Sequence, residues 1–135
     1  MLESDDSEEG AQLAQYLSTL PKERLSQQTV YGGDQPIKTL KENLPELRVM
    51  SMATMKSCML PYIAAGWTGY VPSACHNTQI HIPEKYAPWM WGWSEKFINR
   101  LENAGTRVFI VGGNGAWSEG FDTTEDIKRL PSNYS

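Results

Sequence analysis

The residues of this chain with chemistry to offer are two histidines, a run of carboxylates, two cysteines and a glycine-rich turn. His76 and His81 stand close enough in sequence to be weighed as a general acid and base. No carboxylate is spaced to orient them, so a surface or hydrogen-bonded structural role is the expectation. Asp5, Asp6, Glu8 and Glu9 offer the oxygen ligands that Ca²⁺ or Mg²⁺ prefers, yet carboxylates at a helix N-terminus are explained by the helix dipole alone. Cys58 and Cys75 form no CxxC and have no matching Cys/His set, which argues against a zinc site or a disulfide framework and for two buried small hydrophobes. Gly112, Gly113 and Gly115 follow an apolar run, where a turn can cradle a phosphate or simply need positive φ. On these residues the chain has no catalytic group and no metal ligand set.

Composition narrows the class. With 135 residues, 40% of them hydrophobic and 21% charged, the chain has the makings of one soluble globular domain with a real core. The net charge of -4 offers no basic face, so neither nucleic acid nor an anionic membrane surface is expected as a partner. Nothing in it approaches a membrane span. The opening MLESDDSEEG is acidic and polar where an export signal would be basic and then apolar, which makes the cytoplasm the default location.

The elements that must position these groups alternate. Asp6 and Glu9 open a helix that Pro21 stops, with Ala14, Leu17 and Leu20 on one face; a strand is expected at 28–32. Asp34 opens a second helix with Pro36 in its first turn, and 47–52 reads as the next strand. A third helix begins near Thr54, should kink or split at Pro61, and closes at Gly66. A third strand is expected at 69–71, inside a stretch (66–93) whose segment after Val71 carries three prolines and three tryptophans, Trp89, Trp91 and Trp93, the mark of a long ordered loop over a site. Ser94 caps a helix with Phe97, Ile98 and Leu101 inward, 107–111 is the plainest buried strand, and a last helix covers 122–130. Such alternation means parallel strands with right-handed crossovers, in an open sheet or in part of a barrel. Four strands are too few to close a barrel, which takes about 250 residues.

From Thr29 onward the chain resembles the C-terminal half of a bacterial glycerophosphodiester phosphodiesterase, most specifically in GWTGYVP and NTQIHIPEKYAPW, with RVFIVGG and EGFDTTEDIKRLP in support. The resemblance implies the C-terminal half of a (β/α)8 TIM barrel: four parallel strands with flanking helices, about strands five to eight, with 1–4 a remnant of the fourth and 66–93 the seventh strand and its covering loop. It implies hydrolysis of glycerophosphodiesters to glycerol 3-phosphate and an alcohol, using paired histidines and a carboxylate-held Mg²⁺ or Ca²⁺. Those groups belong to HRG, ExD and HD motifs that are absent here, and Leu2-Glu3-Ser4 stands where relatives carry Ile-Lys-Ser. The chain alone is therefore expected to be inactive and without a metal of its own, and to contribute a substrate pocket from Tyr31, Ser51, Asn77, Gly112, Gly113 and Trp117. The alternative is a non-catalytic half-barrel that binds a partner, or itself as a homodimer, through open edges at 28–32 and 107–111. On either reading Val30, Val49, Val71 and residues of RVFIV would line the inner face.

Overall fold

Capping decides where the helices begin. In the computed structural model, which describes residues 2, 5–112 and 123–130, Asp6 accepts from the Glu8 N–H at 2.9 Å and opens α1 (Ser7–Leu17). Asp5 accepts from the Gln35 N–H at 3.0 Å, so these two carboxylates are spent on backbone donors. Pro21 ends that run and also opens α2 (Lys22–Gln27), a short helix not expected from the sequence, which buries Leu25. α3 (Asp34–Asn43) buries Pro36, Ile37 and Leu40 and packs on α1.

Ser51 and Thr54 form a reciprocal capping box, so α4 (Met52–Ala65) starts at Met52. It runs through Pro61 as one helix, against the expected split. Pro61 and Ser57 are both exposed, which leaves the Ser57 carbonyl that Pro61 cannot satisfy free to bond water. α5 (Glu95–Asn103) buries Phe97, Ile98 and Leu101, and α6 (Thr124–Ile127) is shorter than expected.

The strands are β1 (Thr29–Tyr31), β2 (Arg48–Met50), β3 (Gln79–Pro83) and β4 (Arg107–Val111). β1 pairs with β2 and β3 with β4, both parallel, and this overturns the expected half-barrel: there are two two-stranded sheets in a mixed α/β chain, not four strands in one. One isolated bridge, Val49 to Thr78, joins them. The reason is local, because β2 stops at Met50 where Ser51 turns into the α4 cap, leaving three residues to meet a five-residue β3. The Val49 carbonyl there accepts from Thr78 Oγ1 at 2.7 Å, and its N–H donates to the Asn77 carbonyl at 3.2 Å.

Lys41 closes the seam below that bridge. Its Nζ lies 3.0, 3.2, 3.1 and 2.8 Å from the carbonyls of Pro45, Leu47, His76 and Asn77. Burial pushes the ammonium down to about 8, and the charge of Arg48 adds to this. It stays protonated at neutral pH, when its protons are shared among the four carbonyls.

The third strand is also displaced. In place of a strand at 69–71 there is a 3-10 turn, Gly66–Thr68, ended by Gly69 at φ +89°, and a second one, Ser73–Cys75. β3 lies later, inside the expected covering loop, where Ile80 and Ile82 alternate toward the core. The inner-face expectation inverts with it. Val30 and Val49 pack with α1 and α3 residues, while Val71 and Val108 pack against the cluster that contains Phe97, Leu101 and Ile110. The opposite face carries Met50, Gln79, His81 and Phe109.

Two apolar clusters result. One gathers Ala14, Leu17, Leu25, Ile37, Leu40, Leu44, Leu47 and Val49; the other runs from Cys58 through Tyr62, Ile80, Phe97 and Leu101 to Ile110. Cys58 and Cys75, expected as free buried thiols, are joined as a disulfide within the second. The turn at Ser73–Cys75 brings the two Cα atoms to 4.5 Å, a proximity that a spacing of 17 residues in the sequence does not reveal. Thr106, itself buried, donates its hydroxyl to the Cys75 carbonyl and holds that end in place.

Candidate functional site

The end of α4 builds the site. Apart from the Tyr62 carbonyl, which accepts from the Gly66 N–H, its last carbonyls have no helical donor, and the chain after β3 supplies two cross-links there. Trp91 Nε1 donates to the Ile63 carbonyl at 2.8 Å, and the buried Tyr62 hydroxyl donates to the Trp91 carbonyl at 2.8 Å. Arg100 Nη1 donates to the Gly66 carbonyl at 3.0 Å from the other side. The segment after β3, with its 3-10 turn Ala87–Trp89, is thereby fastened along α4.

Between them lies a cleft of about 500 Å³. α4 contributes Met55, Lys56, Met59, Leu60 and Ile63; the other wall is His81, Ile82, Pro83, Tyr86, Trp89, Met90 and Trp91. An apolar cleft of this size with a few polar groups is the usual form of a small-molecule site.

His81 is its one imidazole, and it belongs to β3 instead of the covering loop. Its Nε2 sits 2.9 Å from Gln79 Nε2, an amide nitrogen that can only donate, so the imidazole accepts there with its lone pair. The ring leans on Phe109 at 5.4 Å between centroids. Burial lowers its pKa below the ordinary 6.5, which keeps it neutral at pH 7. The arrangement makes a neutral hydrogen-bonding ring whose basic nitrogen is already engaged. His76, exposed, lines a separate cleft and does not meet it.

A pH dependence follows from the sign of that shift. Between the folded pKa of His81 and 6.5 the unfolded chain binds more protons, so the stability that neutral His81 contributes is complete above 6.5 and is lost as pH falls through the folded value. Thermal melts should therefore drop between pH 7.5 and 5.5, and His81→Gln should flatten the profile across that window. An unchanged slope in the variant would show that His81 does not control it.

The second cleft, of about 540 Å³, lies between α3 and α4 and is lined in part by Asp34, Lys38, Lys41, Glu42, Ser51, Ser57, Ser73 and His76. Asp34 accepts from the Ala53 N–H at 2.9 Å, and this bond, aided by the Ser51 hydroxyl, holds its carboxyl below the usual range.

Among the described residues, the expected pocket positions Tyr31, Ser51, Asn77 and Gly112 do not converge. Ser51 lines the second cleft, buried and spent on capping α4. Tyr31 ends β1 with its ring half exposed, and Gly112 is buried just after β4; neither lines the two clefts. Asn77 lies at the opposite, N-terminal end of β3, at φ +48°, where its amide donates to the Pro45 carbonyl at 3.2 Å. Gly113 and Trp117 lie outside the described residues.

Sequence reasoning missed Gln79, Met55 and Met59 as site residues. The i, i+4 spacing of the two methionines was readable, but which face of α4 met a partner depended on where β3 fell. Among the described residues no three His, Cys, Asp or Glu side chains gather into a cation cage. No described helix is long and apolar enough to cross a membrane. Compared with protein-family models, with curated proteins and with solved structures, the chain matches none.

Proposed function

We propose that the chain is the substrate-holding part of a glycerophosphodiester phosphodiesterase-like hydrolase, and that it brings no catalytic group of its own. One observation carries the reading: the NTQIHIPEKYAPW block, the most specific element of the resemblance, supplies His81, Ile82, Pro83, Tyr86 and Trp89 to a single cleft. In the reaction, water attacks phosphorus and the bond to the alcohol oxygen breaks, giving glycerol 3-phosphate and the alcohol. The acid, the base and the cation ligands belong to the HRG, ExD and HD motifs, and this chain contributes the walls of the cleft. The buried Cys58–Cys75 disulfide supports an oxidising compartment over the cytoplasm expected from the N-terminal residues.

A second reading, self-association, is favoured by the Phe109 ring on β4, which is 40% exposed.

The test uses glycerophosphocholine with Mg²⁺ or Ca²⁺. The chain alone should release no choline, whereas the chain mixed with an HRG/ExD/HD-bearing segment of a bacterial phosphodiesterase should release choline and glycerol 3-phosphate in a metal-dependent way. Turnover by the chain alone that is lost in a His76→Ala, His81→Ala double variant would move the catalytic groups here. No turnover in the mixture, with a dimer in sedimentation, would favour self-association.

A further inference from the structure

Along the same cleft the chain leaves large apolar side chains in water. Trp89 is 80% exposed, Leu60 66%, Tyr86 51%, Ile63 49% and Trp91 47%, all lining one groove. A continuous patch of this kind marks an interaction site. Lys56 is the one formally charged residue that lines it, and Lys85 stands over the Tyr86 ring at 4.8 Å. Of the carboxylates near these lysines, Glu84 is occupied by Arg129 at 3.0 Å and lines a different cleft, which Lys85 also borders, while Asp34, whose carboxyl feels the Lys56 charge, accepts from the Ala53 N–H at 2.9 Å.

The net charge of -4 hides this distribution. Asp5, Asp6, Glu8 and Glu9 lie on or beside α1, which packs against α3, away from the residues of this groove.

We propose that this face docks on an anionic lipid surface, with Trp89, Trp91 and Tyr86 entering the interfacial layer and Lys56 and Lys85 meeting headgroup phosphates. The pairing of aromatics with lysine decides between lipid and protein. Protein interfaces enrich Trp and Tyr but are depleted of Lys, whereas surfaces that lie in the membrane interface combine the two. Trp91 is already arranged for such a boundary, because its indole N–H is satisfied by the Ile63 carbonyl and its ring remains half exposed. This proposal goes beyond the hydrolase reading and does not depend on it.

The test is cosedimentation of the full chain with phosphatidylglycerol vesicles and with phosphatidylcholine vesicles, read together with tryptophan emission. The chain should pellet with the anionic vesicles, its emission should shift to the blue, and binding should weaken in high salt. Trp89→Ala should weaken partitioning about tenfold, by loss of buried apolar area. The Lys56→Gln, Lys85→Gln pair should weaken it roughly thirtyfold, at about 1 kcal/mol per lysine near the surface. Leu60→Gln, at a side chain 66% exposed in the same groove, serves as a second probe should Trp89→Ala disturb the fold, and unchanged thermal melts certify each variant. The proposal is overturned if the parent stays in the supernatant with both lipids, or if the variants bind undiminished. It is equally overturned if Trp89→Ala dissolves an oligomer seen by sedimentation without lipid while vesicle binding is absent, which would assign the face to a second copy of the chain.

Discussion

The Phe97→Ala variant should melt far below the parent, at a cost of about 3–5 kcal/mol. Phe97 is fully buried, meets Tyr62 edge-on at 5.3 Å between centroids and lies tilted against Trp93 at 5.8 Å. Removing the ring takes away both aromatic contacts and leaves a cavity in the core. Against a total of roughly 5–15 kcal/mol, that loss leaves a marginal fold. Urea melts followed by circular dichroism measure it, and Phe109→Ala, at a ring 40% exposed, serves as the control that should cost under about 1 kcal/mol. If the two variants lose equal stability, Phe97 does not occupy the centre of this cluster.

The second large effect concerns the covalent link. Replacing both Cys58 and Cys75 by serine should cost about 3 kcal/mol, because the bridge closes a loop spanning 17 residues and thereby restricts the unfolded chain. Both positions are completely buried, so two serine hydroxyls without designed partners add to the loss. A reductant should lower the melting temperature of the parent by roughly 10 °C and leave the double variant unmoved. Free thiols that titrate in the denatured, unreduced parent would show that the bridge had never formed.

What could be read from the sequence was whatever local chemistry decides. Asp6 as a cap, the α3 start at Asp34, the α5 face of Phe97, Ile98 and Leu101, and β4 at Arg107–Val111 all appear where residue type and spacing put them. The failures lie where a distant partner decides. QIHIP alternates as a strand should, but its proline and the density of aromatics around it favoured a loop, and only pairing with β4 makes it β3. KERLSQ is a single buried leucine on a six-residue helix, too little periodicity to recognise. Four strands were expected and four stand among the described residues, with the third displaced, but their assembly differs, since one capping residue, Ser51, ends β2 early and two sheets result. The cleft was half legible: its tryptophans stood out in composition, but the methionine wall of α4 depended on Trp91 finding the Ile63 carbonyl.

The seam between the sheets also governs how the molecule comes apart. Each apolar cluster is drawn from its own continuous length of chain, one ending at Val49 and the other beginning at Cys58. What joins them is largely polar: a single strand bridge, the Thr78 hydroxyl and the Lys41 ammonium with its carbonyls. The two clusters can therefore open separately, and the one that carries the disulfide keeps a covalent tie when it does. The pairings that build each one, α1 on α3 and β3 on β4, join elements distant in sequence, so each must close a long loop before it condenses.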